Sequence, residues 1–534
     1  MHRALQSVKI LQEIFAQLRP VDPDIHVQTS TVRKYNRKAL LHAALCCKLL
    51  SSLALDSLWW VVEDIRHLLS LAPMSPSIKS ELQLDVRFRR KAFTLELPDI
   101  DVENDPSANW TRFNAHADRI RVLIYNDIDN TPLSVYHRLV RATGRDSLLP
   151  SLQHLFISTI NAEKTLPVFL TPTLRDVRIG LNPSVFRAYF PQELASLNTL
   201  EALASAAPSL EQLNVNLEYT AHVTLHKFSK LRILKIGTKT EALEGGSDSS
   251  NMLIELSRLN HLSNLDIVYR NAFCLHSVPG IDETAGFPSL TELHLATSLQ
   301  FAMTLLKATT KNKLHSLSCV IQHPSSEEPL EWENLFTILQ SNFAMSLRRL
   351  KLNLDHKESS SNQGACNVHS IDALLHLRNL EYIDFGEIQG TPFTDTNISM
   401  MASAWPRIRV LRIPFRLGLP QVGFRALSVL AQSCPALRSI AIHLDLRWVN
   451  KGRDVIPLLS HPLEYLNVGK SPTDKISAHQ HPTVIIELYR MFPRLKQVSY
   501  ASDGPYAAAW AKISDFVEIF QKIRKIEEER AGQA

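Results

Sequence analysis

The stretch PSLTELHL, residues 288–295, contains the pattern that decides the fold of this chain. A proline opens the group, and an apolar residue, two variable residues, a second apolar residue, one variable residue and a third apolar residue follow. The same pattern returns in PTLRDVRI (172–179), PSLEQLNV (208–215) and PRIRVLRI (406–413). Fourteen such groups begin at residues 119, 150, 172, 208, 230, 261, 288, 313, 346, 379, 406, 435, 462 and 493. Internal repetition of this kind indicates an array of similar units.

The spacing of the groups identifies the class of repeat. From Leu152 to Leu495 the first apolar positions span 343 residues in twelve intervals, or about 29 residues per unit, and leucine-rich repeats have periods of about 20–29 residues. The text between many groups has helical spacing, as in residues 193–207 and 425–434. A single strand with its helix cannot cover its own apolar face, so neighbouring units must stack. We therefore predict an α/β protein with a curved leucine-rich-repeat solenoid over residues 116–500, its parallel strands on the concave face and its helices outside.

Strand alternation predicts the surface that the repeats offer to a partner. Successive side chains of a strand point to opposite faces, so the residues between the apolar positions face outward on the concave sheet. They are polar, of both charge signs, with some aromatic rings, which suits a protein or peptide better than a nucleic-acid backbone, because that backbone favours one continuous basic stripe. Tyrosine and arginine contribute strongly to interface energies. The candidate substrate-binding residues are Phe156, Arg178, Arg349, Lys351, Tyr382, Asp384, Arg412 and Tyr465.

The N-terminal part has a different pattern. RKALLHAALCCKLLSSLALDSLWW (residues 37–60) carries apolar residues three or four positions apart, which predicts two short helices separated at Ser51 and Ser52. SVKILQEIFAQL (7–18) predicts an amphipathic helix that starts at Ser7. Three short helices within residues 1–72 form a small domain with a thin core.

These N-terminal motifs resemble the F-box, and in particular the F-box-like domains of large fungal families with C-terminal degenerate leucine-rich repeats. ILQEIFAQL followed by AALCCKLLSSLALDSLWW carries the resemblance, and NWTRFNAHADRIRVL (109–123) is similar to the segment that leads into the repeats of those proteins. The sequence departs from the usual pattern at Ser7 and Lys9, where proline and glutamate are common, and at Leu50, where an aromatic residue is common. The resemblance implies a Skp-type adaptor as partner and, through it, a cullin. The implied adaptor-binding residues are Ile10, Leu11, Ile14, Phe15, Leu18, Leu45, Lys48 and Leu49.

Composition and motifs narrow the function further. The net charge is only +5, and the sequence has no run of 18 apolar residues, so neither a nucleic-acid nor a membrane partner is expected. The six cysteines form no C-x-x-C pair and are expected to be reduced in a cytoplasmic or nuclear protein. No phosphate-binding, nucleophile-elbow or zinc-protease motif occurs, and HQH (479–481) is more simply a loop than a metal site. We expect no enzymatic activity and no cofactor. A connector (73–115) and a C-terminal capping helix (501–534) complete the prediction.

Three functions remain open at this point. The first is a substrate-recognition subunit of a Skp–cullin–F-box type ubiquitin ligase, acting as a monomer within a larger complex, with an unknown protein as substrate. The second is a leucine-rich-repeat interaction scaffold without a ligase role, whose N-terminal helices only cap the solenoid. The third is a GTPase activator, which the irregular repeats disfavour because such activators use a regular array.

Overall fold

The computed structural model describes residues 7–19, 30–73, 109–126, 133–158, 162–179, 197–217, 225–238, 253–269, 286–322, 332–355, 365–366, 368–386, 389–390, 393–413, 422–446, 458–473, 481–502 and 505–531. The chain divides into two compact units, Met1–Thr238 and Lys239–Ala534. Most of the predicted connector lies outside the described residues.

Three helices open the first unit: α1 (Val8–Gln17), α2 (Ser30–Cys46) and α3 (Lys48–Leu58). They pack around Leu11, Phe15, Leu40 and Ala54, and each of these side chains is at most 6% exposed. This cluster is the thin core that the sequence predicts.

The predicted break at Ser51 and Ser52 is wrong. The chain leaves the helical conformation at Cys47, whose backbone is extended (φ −160°, ψ 162°). The Ser51 N–H donates to the Cys47 carbonyl at 2.8 Å, so both serines lie inside α3. A serine inside a helix costs little when its backbone hydrogen bonds are made, and the pair therefore has no need to end the helix.

The parallel sheet of the first unit begins earlier than predicted. β1 (Val61–Val62) follows α3 closely and pairs with β2, Val61 opposite Val122. β1 therefore lies within residues 1–72, the region predicted as a helical domain, and its two residues are too few to show the repeat pattern. The remaining elements of this unit are α4 (Arg66–Leu69), α5 (Thr111–Ala117), β2 (Val122–Asn126), α6 (Leu133–Thr143), β3 (His154–Ser158), α7 (Ala162–Phe169), β4 (Asp176–Ile179), α8 (Leu197–Ala206), β5 (Gln212–Leu217) and β6 (Ile233–Thr238). The described strands pair in parallel and in chain order.

The second unit continues the same arrangement. Its elements are β7 (Asn264–Tyr269), β8 (Glu292–Thr297), α9 (Leu299–Ala308), β9 (Ser316–Gln322), α10 (Trp332–Phe343), β10 (Arg349–Asp355), β11 (Ala365–Cys366), a 3-10 helix (Val368–His376), β12 (Tyr382–Asp384), β13 (Gln389–Gly390), α11 (Asp395–Ala404), β14 (Val410–Arg412), α12 (Phe424–Ser433), β15 (Ser439–Ala441), β16 (Tyr465–Gly469), α13 (His481–Met491), β17 (Gln497–Tyr500) and α14 (Ala507–Ala531). β11 and β13 form a separate parallel pair. Each of the fourteen predicted groups forms a strand of the main parallel arrays, which confirms the leucine-rich-repeat solenoid.

A ladder of aliphatic side chains runs through the strands. The second apolar residue of each group lies opposite its counterpart in the neighbouring strand of the same unit. In the second unit each is at most 2% exposed: Leu265, Leu293, Leu317, Leu350, Ile383, Leu411, Ile440, Leu466 and Val498. Burial of each such side chain stabilises the fold by about 1.5–3 kcal/mol. Helices such as α9, which contacts β8 and β9, cover the other side of this ladder.

The structure explains why proline opens many of the groups. In the turn before β8, the Leu290 N–H donates to the Phe287 carbonyl at 3.2 Å, and Pro288 occupies the second turn position. The fixed φ of proline suits that position. The same i to i+3 bond forms at Leu174, Leu210, Ile408, Leu437 and Leu495, each in a turn with proline at the equivalent place. The turn delivers the first apolar residue of each group into the core.

Helix α14 covers the last described strand, β17. Trp510 is 1% exposed and its indole Nε1 donates to the Ser471 carbonyl at 2.9 Å. Ile513 is also buried. The Ser514 hydroxyl donates to the Val498 carbonyl of β17 at 3.1 Å, so the helix also satisfies a backbone group of that strand.

Replacing Trp510 with alanine should destabilise the C-terminal end. The change removes a buried indole and one hydrogen bond, and we expect a loss of about 3–5 kcal/mol in urea unfolding, with faster hydrogen exchange at β17. The matched control is Phe516→Ala on the same helix, because Phe516 is 46% exposed. Equal losses in the two variants would contradict the capping role of Trp510.

A buried histidine gives the second unit a dependence on pH. His461 is 4% exposed; its Nε2 lies 2.8 Å from the Cys434 carbonyl, and its Nδ1 accepts from the Leu463 N–H at 3.2 Å. Burial lowers the pKa of His461 from its ordinary value of 6.5. On acidification the unfolded chain therefore binds a proton before the folded one does, so this contribution to stability is full above about pH 6.5 and falls as the pH drops toward the folded pKa.

We expect the melting temperature to fall between pH 7.5 and pH 5, and to fall less steeply in His461→Gln, which has no titrating ring. Thermal unfolding across this range measures both slopes. The assignment fails if the variant retains the full wild-type slope.

Candidate functional site

We call the side of each parallel sheet that faces away from the aliphatic ladder the strand face; it corresponds to the predicted concave face. The predicted substrate-binding residues have unequal exposure: Arg349, Lys351, Arg412 and Tyr465 are exposed, Phe156, Arg178 and Tyr382 are half-buried, and Asp384 is buried. The predicted facing therefore does not imply equal access to solvent, since Asp384 is only 7% exposed. Neighbouring side chains on the strand face cover it.

Asp384 organises a cluster on β12 and β14. Its Oδ1 accepts from the Gly386 N–H at 3.0 Å, and its Oδ2 accepts from the Tyr382 hydroxyl at 3.2 Å and from Arg412 Nη1 at 3.4 Å. Gly386 has φ +42°, and a Cβ there would lie 2.6 Å from Asn353 Oδ1. Glycine is thus required at the turn that presents its N–H to the carboxylate.

β10 adds two cations beside this cluster. The Arg349 guanidinium lies 5.4 Å from the centre of the Tyr382 ring, a distance at which cation–π attraction operates. Burial, together with the nearby Asp384 charge, raises the pKa of Tyr382, so its hydroxyl remains a donor at neutral pH. Lys351 lies opposite Asp384 in the strand register and is exposed. Within the part of the chain that the structure describes, Lys351 has no carboxylate within ion-pair distance.

The first unit has a cluster of the same design. Asp176 is 3% exposed, and its carboxylate accepts two hydrogen bonds from Arg178, from Nε at 3.2 Å and from Nη2 at 3.0 Å. His154 Nδ1 lies 3.5 Å from the same carboxylate. The Arg178 guanidinium also lies 4.7 Å from the centre of the Phe156 ring. A buried aspartate thus fixes an arginine against an aromatic ring here, which brings the predicted Phe156 and Arg178 together.

Ion pairs at the strand starts were missed by the sequence reasoning. The residue directly after the first apolar position is charged in many groups, and Glu464 pairs with Arg438 at 2.8 Å and with Lys496 at 2.6 Å. The hydrogen bond from Lys496 lowers the pKa of Glu464. Glu381 approaches Arg409 at 3.5 Å. The signal was present in the sequence, but it becomes readable only when the units are aligned in register.

Tyr465 lies at a different place from the Asp384 cluster. It lines an open groove of about 650 Å³ between the strand face and α14, together with Lys496, Gln497, Tyr500, Asp515 and Glu518. The groove carries both charge signs. Tyr465 is therefore exposed near α14, and Arg349, Tyr382 and Arg412 form a separate group.

The predicted adaptor-binding residues fall into two groups, one buried or partly buried and one exposed. Leu11 and Phe15 are core residues, Leu18 is partly buried against that core, and Lys48 is exposed. The other four are exposed between 41% and 78%: Ile10, Ile14, Leu45 and Leu49. Val8 and Leu41, which the sequence reasoning did not select, are each 47% exposed on the same helices. We call these six exposed side chains of α1, α2 and α3 the apolar helix face.

The geometry of the described residues bears on metal binding, membrane spanning and cysteine reactivity. They contain no group of three His, Cys, Asp or Glu side chains that could hold a metal ion, and no helix among them is long and apolar enough to cross a membrane. His481 begins α13, and His479 lies outside the described residues. Burial raises the pKa of the Cys319 and Cys434 thiols to about 12, so both remain protonated and unreactive.

Substituting Asp384 should loosen the cluster on β12 and β14. In Asp384→Ala, the Gly386 N–H and Tyr382 hydroxyl lose their acceptor, and we expect a loss of about 1–3 kcal/mol in urea unfolding. Asp384→Asn retains one acceptor oxygen and should lose less. An alanine variant as stable as the wild type would show that the carboxylate does not organise these groups.

Comparison with known proteins gives structural neighbours only. No protein-family profile and no curated protein sequence matches the chain. Among solved structures it is similar to the yeast Rad7 and Elc1 complex, at 18% identity over 70% of this chain and 89% of that chain, with a TM-score of 0.37. It is also similar to the complex of TLR13 with ssRNA13 (16% identity, 72% of this chain and 52% of that chain, TM-score 0.37) and to a leucine-rich-repeat protein of Leptospira interrogans (14% identity, 68% and 83%, TM-score 0.32).

Proposed function

We propose that this protein is the substrate-recognition subunit of a Skp–cullin–F-box type ubiquitin ligase. Helices α1 to α3 bind the Skp-type adaptor, which connects the chain to a cullin, and the strand face holds a protein substrate. The protein itself performs no catalytic step in this proposal. Its place of action is the cytoplasm, the nucleus or both.

The observation that carries the proposal is the apolar helix face. Several large apolar side chains left exposed on a small domain indicate an interaction site, and here six aliphatic side chains are exposed on three helices. Four of the six are residues to which the F-box resemblance assigns adaptor contact. The small core beneath them, built on Leu11 and Phe15, keeps the helices packed while this face stays available.

The strand face supports the second half of the proposal. Arg349, Tyr382 and Arg412 are brought together by Asp384, and Tyr465 lines a groove near the cap. Arginine and tyrosine are enriched among residues that dominate protein–protein affinity. The side chains on the strand face can vary without loss of the aliphatic ladder, which is the property that a recognition surface requires.

A specific observation favours the scaffold alternative. The N-terminal helices are tied to the first repeat: Arg119 Nε donates to Asp56 Oδ1 at 2.7 Å, and the Arg19 guanidinium lies 3.8 Å from the centre of the Trp60 ring. These contacts place the helices in one compact unit with the first repeat. In the scaffold alternative α1 to α3 act as an end cap, and the chain is an interaction scaffold without an adaptor.

Adaptor binding tests the proposal against this alternative. Ile10→Ser with Ile14→Ser removes two exposed apolar groups and should leave folding intact, because both side chains are more than 40% exposed. If they are interface anchors, we expect adaptor affinity to fall by at least tenfold, since anchor residues cost 2 kcal/mol or more in typical interfaces (about 30-fold). The measurement is co-purification of adaptor and cullin from the native cell, followed by titration with purified adaptor.

The control carries the same chemical change elsewhere. Phe516→Ser with Ile523→Ser alters two side chains of α14 that are each 46% exposed, so general loss of apolar surface is matched. The control should bind the adaptor like the wild type. Absence of the adaptor from wild-type purifications would leave the scaffold function as the better description.

A further inference from the structure

The strand face of the second unit carries an excess of positive charge over four neighbouring strands. Among the side chains that the structure describes from β10 to β15, the outward-facing positions and the strand starts hold six cations and two carboxylates. The cations are Arg348, Arg349, Lys351, Arg409, Arg412 and Arg438, and the carboxylates are Glu381 and Asp384. We infer that this part of the strand face, the cationic patch, binds an acidic peptide segment of the substrate through carboxylate or phosphate groups. The inference rests on the proposed role of the strand face in substrate recognition.

The two carboxylates within the patch should repel a bound anion only weakly. Asp384 is buried, and its oxygens already accept hydrogen bonds from Gly386, Tyr382 and Arg412. Glu381 lies between Arg348 at 4.0 Å and Arg409 at 3.5 Å, at the strand starts. Both negative charges are therefore balanced by cations of the protein.

Arg349 and Lys351 are the cations best placed to meet an anion. Both are exposed, and they lie two residues apart on β10, so they point to the same face. In the part of the chain that the structure describes, neither has a carboxylate within ion-pair distance. Arg349 is held over the Tyr382 ring, which reduces the conformational freedom that it would lose on binding.

Hydroxyl donors adjoin these two cations. On β9, Ser316 lies opposite Arg349 and Ser318 lies opposite Lys351 in the strand register. Neighbouring parallel strands are about 4.8 Å apart. Two hydroxyls and two cations therefore surround one position on the strand face, and an arginine with hydroxyl donors is a common set of groups for binding carboxylate or phosphate.

The size of the patch favours a peptide. Four strands cover about 15 Å from β10 to β15, which matches four or five residues of an extended chain. The sign of the charge changes beyond β9: Glu292 accepts from Asn264 Nδ2 at 2.7 Å on β8 and β7, and Asp266 lies on the same strand face. A nucleic-acid backbone, which carries charge along its whole length, would meet these acids.

A binding measurement on the full chain tests the inference. The probes are three fluorescently labelled twelve-residue peptides of Gly and Ser that contain four consecutive glutamates, four phosphoserines or four lysines, and fluorescence anisotropy reports their affinity. We expect the glutamate peptide, the phosphoserine peptide or both to bind, more weakly as salt increases, and the lysine peptide not to bind. The comparison between the two acidic peptides identifies which anion the patch recognises.

Charge reversal locates the binding. Arg349→Glu with Lys351→Glu should weaken binding of the acidic peptides by at least tenfold, and because both side chains are exposed, the variant should still fold and unfold cooperatively in urea. The matched control is Lys307→Glu with Arg425→Glu, which changes two exposed cations of α9 and α12 by the same net charge and should leave affinity unchanged.

Three results would overturn the inference: no binding of either acidic peptide, equal weakening in both double variants, or single-stranded DNA binding as tightly as the better acidic peptide. These results are distinguishable from failure of the proposed function. If adaptor and cullin co-purify while acidic peptides do not bind, the ligase role stands and recognition uses another part of the strand face. If peptides bind and no adaptor is found, the cationic patch belongs to a scaffold.

Discussion

Burial of one aliphatic side chain per strand, in register with the next, is the constraint on which the rest of the structure depends. Leu293, Leu317 and Leu350 lie opposite one another on adjacent strands, and none is more than 2% exposed. A parallel strand pair cannot shield such a row by itself, so each repeat needs a helix on one side and a neighbouring repeat on each edge. The turns, the helix positions and the outward-facing residues all follow from this requirement.

The repeat pattern was readable from the sequence because it reports this burial directly. PSLTELHL places leucines at the three positions that the core demands, and proline marks the turn that precedes them. Strand alternation also gave the correct face for Arg349 and Arg412. It could not give depth, because whether an outward residue such as Asp384 is covered depends on the lengths of side chains on neighbouring strands.

Other features depended on contacts that a single sequence does not contain. The helix break lies at Cys47, between α2 and α3, which pack on each other, and not at Ser51 and Ser52, whose local preference favours caps. The division of the predicted adaptor face followed the same rule. Leu11 and Ile14 are equally apolar, yet only the geometry of the three-helix core makes one buried and the other exposed. The ion pairs of Glu464 required strand register.

The ends of a parallel array present unpaired backbone groups, and a long exposed edge is a template for adding strands from other molecules. Among the strands that the structure describes, the first, β1, has only two residues, and the Ser514 hydroxyl donates to the Val498 carbonyl of the last, β17. A two-residue edge offers too few hydrogen bonds to hold a foreign strand, and a carbonyl already bonded to a hydroxyl is a poorer acceptor for one. The same residues that close the solenoid therefore protect it against end-to-end polymerisation, a hazard for any protein made of repeats that all expose similar edges.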